Sequence, residues 1–106
     1  MAKVVICTTP TFTLTLPAGT DLSQAAHIAF SLWQEYFSLD KEDEGITVDS
    51  SNHNVVTVHL TQAETLNFSP NEKAYVQLNW SYNDGSRGNS KIYEVDVENN
   101  LYKKVM

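Results

Sequence analysis

The three histidines, His27, His53 and His59, are the side chains of this sequence best suited to hold a metal ion or transfer a proton. His53 and His59 have the same parity on one predicted strand, where a rise of about 3.3 Å per residue sets them roughly 20 Å apart. That separation is far too large for both to bind one ion. His27 has no obvious partner near it in the sequence. We therefore predict structural roles for all three histidines and no metal site.

An acidic segment at residues 40–45, DKEDEG, begins like a calcium-binding loop, with acids at its first, third and fifth places and glycine at its sixth. Such a loop requires a bidentate glutamate at the twelfth place, where this chain has Ser51. The flanking sequence also gives no clear pair of helices. The pattern therefore favours a solvated acidic turn, with a weak surface calcium site as the alternative.

The serine, threonine and cysteine residues give no sign of a nucleophilic site. No serine lies in the glycine-flanked nucleophile pattern, and the four glycines are too scattered to form a phosphate-binding loop. The single cysteine, Cys7, excludes an intrachain disulfide, and its apolar neighbours predict a small buried side chain. The sequence therefore predicts a protein that is not an enzyme and holds no cofactor.

The chain is acidic, with a formal charge of −6 at pH 7 and an isoelectric point near 4.8. Nucleic-acid backbones and anionic membrane surfaces are normally bound by clustered lysine and arginine, and the seven basic residues here are scattered. No apolar stretch approaches the roughly twenty residues that span a bilayer, and the first ten residues lack the apolar core of a signal peptide. We therefore expect no nucleic acid, no membrane, and a protein made in the cytosol.

A hairpin at residues 73–98 gives the clearest structural signal in the chain. Apolar residues alternate with polar ones over 74–82, and this period of two is typical of a half-buried strand. The turn-forming triplets Asn83-Asp84-Gly85 and Arg87-Gly88-Asn89 follow. Apolar residues then alternate again up to Val97. The pattern predicts two antiparallel strands that need a second layer to cover their apolar face.

The rest of the chain repeats the pattern of a short strand followed by a turn signal, at intervals of about ten residues. This spacing predicts seven or eight strands in one sandwich or barrel. Thr61-Gln62-Ala63-Glu64 has the spacing of a capping box, which predicts one helical turn near residues 61–67. A chain of 106 residues has the size of a single domain.

Residues 21–39, DLSQAAHIAFSLWQEYFSL, fit both a helix and two strands. As a helix, the segment has Asp21 as an N-cap and an apolar face with nearly helical spacing. As strands, it alternates from Ile28 to Leu32 and leaves Trp33 and Tyr36 on the outer surface. Periodicity alone slightly favours the helix, so both interpretations stay open on this evidence.

The chain has more tyrosine and tryptophan than a small core readily buries, and these residues are enriched at protein interfaces. Ile92 and Tyr93 are adjacent and cannot both face inward in a regular strand, so we expect either a bulge or an exposed Ile92. The predicted interface residues are Trp33, Tyr36, Tyr75, Ile92 and Tyr102. The alternative is that some of the aromatic side chains cover sheet edges.

Three blocks of sequence, in order, carry a resemblance to known proteins. They are Asp21-Leu22 with the apolar alternation from His27 to Gln34, residues 55–68 (VVTVHLTQAETLNF) and residues 73–97 (KAYVQLNWSYNDGSRGNSKIYEVDV). The blocks resemble small proteins from tailed bacteriophages of Gram-positive hosts, in which a strand is followed by LTQEETLKF and then by a hairpin that begins VQL and contains a YxDG turn. The layout is also similar to the N-terminal domain of phage baseplate upper proteins, which is an immunoglobulin-like sandwich.

The resemblance implies an all-β fold, a single immunoglobulin-like antiparallel β-sandwich over residues 1–106 with strands at 21–39. The alternative is an α+β fold with a helix at 21–39. The resemblance further implies a virion structural protein of the head, tail or baseplate, which forms a homo-oligomer and docks to other virion proteins. Such a protein is in the host cytoplasm during assembly and then in the virion. The competing function is a soluble phage-encoded binding protein that inhibits a host factor.

Overall fold

Alternating apolar and polar residues form short strands along almost the whole chain. Residues 3–106, which the computed structural model describes, contain nine strands, one 3-10 turn and one short α-helix. The strands are β1 (Lys3–Val5), β2 (Thr11–Thr15), β3 (Ala25–Gln34), β4 (Phe37–Glu42), β5 (Ile46–Val48), β6 (Val55–His59), β7 (Lys73–Tyr82), β8 (Arg87–Asn89) and β9 (Tyr93–Glu98). The 3-10 turn is Leu22–Gln24, and helix α1 is Gln62–Leu66.

The strands form two sheets that pack face to face. The larger sheet has the order β1-β9-β7-β3-β4, with β8 paired to β7 beside the end of β9, and the smaller sheet has the order β2-β6-β5. In this order β9, β7, β3 and β4 face β2, β6 and β5, which is the strand arrangement of an immunoglobulin-like sandwich with one added edge strand. The predicted all-β sandwich is confirmed.

The core lies between the two sheets and is built from the inward residues of each strand. Phe30, Leu32 and Leu78 of the larger sheet and Val56, Val58 and Leu60 of the second layer are inaccessible to solvent. The rings of Phe12 and Phe30 meet across the layers, with their centroids 5.6 Å apart. Cys7 is buried at the edge of this region, as the sequence predicts.

Strand β3 decides between the two interpretations of residues 21–39. It is hydrogen bonded to β4 on one side and to β7 on the other, so sheet pairing satisfies its backbone and overrides the local preference for helix. Gln34 continues the inward face of β3 and is buried. Its amide can be buried because it donates to the Ser69 carbonyl at 2.9 Å and accepts from the Ser69 N–H at 2.8 Å. The strand interpretation is confirmed, and the helical alternative is wrong except for the 3-10 turn at Leu22–Gln24.

Three details of the predicted strands are wrong. Arg87-Gly88-Asn89 forms β8 rather than a turn, because Gly88 packs so closely on Trp80 that an added Cβ would lie 2.5 Å from Trp80 Nε1. This strand and β1 raise the count above the predicted seven or eight. The sandwich is also not wholly antiparallel, since β1 pairs in parallel with the free edge of β9 and thereby buries Val4.

Helix α1 begins with the capping box that the sequence predicts. The Thr61 hydroxyl accepts from the Glu64 N–H at 3.2 Å, and the Glu64 carboxylate accepts from the Thr61 N–H at 2.8 Å. The same carboxylate forms an ion pair of 3.0 Å with Lys41, which belongs to β4 rather than to the predicted charged turn. Burial acts to raise the pKa of Glu64, but the hydrogen bonds from Thr61 and Lys41 outweigh it, so the pKa lies below its ordinary value of 4.5. The pair ties α1 to the larger sheet.

Candidate functional site

The outer face of the larger sheet carries a groove of about 440 Å³ across β4, β3 and β7. The segment between β8 and β9 borders it. This face points away from the core, so apolar side chains placed on it are in contact with solvent. The residues that line the groove are Ser31, Trp33, Ser38, Asp40, Tyr75, Val76, Gln77 and Ile92.

Trp33 and Tyr75 form an aromatic pair in this groove. They lie directly opposite each other on β3 and β7, and their ring centroids are 6.1 Å apart with the planes tilted by 45°. Both point outward because their strand neighbours at the alternate positions, such as Leu32, face the core. Trp33 is 48% exposed and Tyr75 is 37% exposed. The pair therefore presents a preformed aromatic surface to solvent.

Ile92 reaches the groove because the chain is pinned just before it. Ser90 is buried, and its N–H donates to the Leu78 carbonyl at 2.8 Å while its hydroxyl accepts from the Leu78 N–H at 2.9 Å. These contacts end β8, so Ile92 falls in a short connection before β9 begins at Tyr93. Ile92 is 63% exposed and Tyr93 packs against the core, which confirms the exposed alternative for Ile92.

The structure brings together three of the five predicted interface residues, Trp33, Tyr75 and Ile92, around one groove. Tyr36 is exposed, but it lies in the two-residue turn between β3 and β4 and does not line the groove. Tyr102 is exposed in the C-terminal tail at residues 99–106, on another part of the surface. The five predicted interface residues therefore lie at three separate places on the surface: the groove, the turn that contains Tyr36, and the C-terminal tail.

The C-terminal tail follows β9 and is held at two points. The Asn100 side chain donates to the Ile6 carbonyl at 3.1 Å, and the Met106 N–H donates to the Gln62 side chain at 2.6 Å. The apolar side chains of the tail nevertheless face solvent, with Leu101 97% exposed. The tail thus has fixed ends and an uncovered apolar surface.

The charge on the groove comes from one carboxylate among its lining residues, that of Asp40. It accepts a hydrogen bond of 2.6 Å from the Ser31 hydroxyl on the neighbouring strand. An exposed carboxylate beside aromatic rings can bind a cationic side chain whose neighbours are apolar. The arrangement is suited to binding a peptide segment of that composition.

The histidines lie outside the groove, and each has a partner that the sequence did not reveal. His53, which precedes β6, lies 3.3 Å from Asp21, and His59 hydrogen bonds the Thr11 hydroxyl at 3.0 Å. The pairing of β3 with β4 brings His27 to the acidic segment, where its Nδ1 is 2.9 Å from Asp43. This hydrogen bond and the charge of Asp43 hold the pKa of His27 above its ordinary value of 6.5.

Comparison with protein-family models gave no match, and no curated protein is significantly similar to the chain in sequence. Within residues 3–106, neither helical segment has the length and apolar character needed to cross a membrane.

Proposed function

We propose that this protein is a non-enzymatic structural component of a bacteriophage virion, in the head, tail or baseplate, which acts by self-association and by docking to neighbouring subunits. The observation that carries the docking part is the groove lined by Trp33, Tyr75 and Ile92. The virion part rests on the resemblance of the sequence blocks to small tailed-phage proteins.

The composition of the groove matches the centre of a protein interface. Trp and Tyr are enriched there because they bury a large area and lose little side-chain entropy. Trp33 and Tyr75 already support each other in the free subunit, so docking needs little rearrangement at this pair. Polar groups such as Ser31 and Gln77 lie beside the apolar ones, as at the rim of an interface.

The occupant that we propose for the groove is the C-terminal tail of a second copy. The sequence of residues 101–106, LYKKVM, places two lysines between exposed apolar side chains. The groove offers Asp40 to a lysine and the aromatic pair to the apolar groups. The chain as a whole has a charge of −6, whereas the tail carries no acidic side chain, so the tail is attracted to the body of another subunit.

Contact between a tail and a groove joins two different surfaces. In its own subunit the tail lies near Cys7, Thr8 and Gln62, and none of these residues lines the groove. A head-to-tail contact of this kind builds a ring if the rotation between subunits closes and a filament if it does not. Either outcome gives the repeated assembly that a virion component requires.

Sedimentation velocity over a wide concentration range tests this proposal. We expect the wild-type chain to sediment as an oligomer, of fixed size if the ring closes and of a size that grows with concentration if it does not, and a chain that ends at Asn100 to sediment as a monomer. A double charge reversal, Lys103→Glu with Lys104→Glu, tests the electrostatic contribution separately. It keeps the apolar side chains of the tail and should still weaken association.

Two results would count against the proposal in different ways. A wild-type chain that stays monomeric at every concentration would contradict self-association, and a soluble inhibitor of a host factor would then explain the exposed groove better. An oligomer that survives removal of residues 101–106 would show that the tail is not the occupant of the groove.

A further inference from the structure

A cluster of three possible metal ligands lies at the other end of the larger sheet's outer face. His27 is in β3, Glu42 is the last residue of β4, and Asp43 follows it. His27 Nδ1 is 2.9 Å from Asp43 Oδ2 and 3.5 Å from Glu42 Oε1, and the three ligand atoms all lie within 4.8 Å of one another. The cluster is independent of the groove, because the two share no residue.

The backbone positions two of the three residues, His27 and Asp43. The register between β3 and β7 shifts between Ala25 and His27, and such a bulge re-aims the side chain next to it. Asp43 has a φ of 63°, and both its N–H and its Oδ1 are bonded to the backbone of Ile28, each at 2.9 Å. Its second oxygen, Oδ2, is left to face His27. The sheet therefore holds Asp43 against His27, and the exposed Glu42 side chain completes the cluster.

We infer that His27, Glu42 and Asp43 bind a divalent transition-metal ion of the Zn²⁺ class. Bonds of about 2.0–2.2 Å to nitrogen and oxygen place neighbouring ligands roughly 3 to 3.5 Å apart. The distances from His27 Nδ1 are close to these values, at 3.5 Å to Glu42 and 2.9 Å to Asp43. One imidazole with two carboxylates suits Zn²⁺ better than Ca²⁺, which prefers ligands that are all oxygen.

The surroundings leave room for further ligands on the metal. His27 and Glu42 border an open cavity of about 230 Å³, which Arg87 and Asn79 also line. Three protein ligands leave a fourth position for water or for an exogenous group. A metal ion bound at Nδ1 would replace the hydrogen bond between His27 and Asp43, and it requires the neutral form of the imidazole.

Isothermal titration of the purified protein with ZnCl2 tests this inference. We expect one ion per chain, and at least a tenfold loss of affinity in His27→Ala and in Asp43→Asn. Asp43→Asn keeps the side-chain oxygen that accepts from Ile28, so it removes the ligand charge without removing the backbone contact. Thermal unfolding of each variant confirms that the fold is intact.

His53→Ala is the matched control, because His53 faces a single carboxylate, that of Asp21 at 3.3 Å, and should leave Zn²⁺ affinity unchanged. In the wild-type protein, Zn²⁺ should shift the NMR signals of the His27 ring. Equal affinity in His27→Ala and wild type would overturn the site, as would equal losses in His27→Ala and His53→Ala. Tighter binding of Ca²⁺ than of Zn²⁺ would overturn the assignment of the ion.

Discussion

Replacement of Trp33 by alanine should strongly weaken self-association in a subunit that still folds. An aromatic side chain buries about 150 to 250 Å² when it is fully covered. Trp33 is 48% exposed in the subunit, so docking can remove roughly another 100 Å² from water. At about 25 cal/mol per Å², this area contributes roughly 2.5 kcal/mol. The expected result is an association about 60-fold weaker than that of the wild type.

The assay is the dissociation constant from sedimentation equilibrium, measured beside thermal unfolding of each variant. Tyr36→Ala is the matched control, since Tyr36 is 89% exposed but lies outside the groove. Trp33→Ala should also lower the free energy of unfolding by about 2–4 kcal/mol, because roughly 100 Å² of the side chain is already buried in the subunit at about 25 cal/mol per Å² and the pair with Tyr75 is lost. The reasoning is refuted if Trp33→Ala and Tyr36→Ala weaken association equally, or if Trp33→Ala abolishes folding.

Two further predictions concern stability. Gly45→Ala should destabilise the protein by about 2–3 kcal/mol in urea unfolding, because φ is +75° and the new Cβ would lie 3.0 Å from the His59 carbonyl oxygen, a backbone atom. Gly19→Ala, with φ +93° and open space around it, should cost about 1 kcal/mol, and equal costs would contradict the role of the clash. Glu64→Gln should cost about 1–2 kcal/mol at neutral pH, because it removes the ion pair with Lys41. The pKa of Glu64 is lowered by folding, so its contribution is complete above about pH 5 and is lost as the pH falls through the folded value below 4.5. The stability difference between Glu64→Gln and wild type should therefore shrink in acid, and a difference independent of pH would exclude this linkage.

The features of the fold that follow from local pattern could be predicted from the sequence. The alternation at residues 74–82 and the capping box at Thr61 depend on neighbouring residues, and both are confirmed. The short strand β8 could not be predicted, because glycine and polar residues at 87–89 form a strand only through close packing on Trp80. The parallel docking of β1 on β9 is a contact between distant parts of the chain and leaves no local pattern.

The candidate surface was predictable in part for the same reason. Strand parity shows that Trp33 and Tyr75 face outward, but only the register between β3 and β7 makes them a pair. Tyr36 is a tyrosine like Tyr75 and is also predicted to be exposed, yet it lies in the turn between β3 and β4 and outside the groove. The approach of Asp43 to His27 depends on the bulge in β3 and the left-handed conformation of Asp43, so periodicity alone did not reveal it.

The proposed function predicts that this chain is part of a phage particle, and quantitative mass spectrometry of purified virions tests that prediction most directly. We expect peptides of the chain in every preparation, at a fixed ratio to the major capsid protein that corresponds to several copies per particle. Absence of the chain from purified virions, with the chain abundant in the infected cells from which they came, would contradict a structural role in the virion.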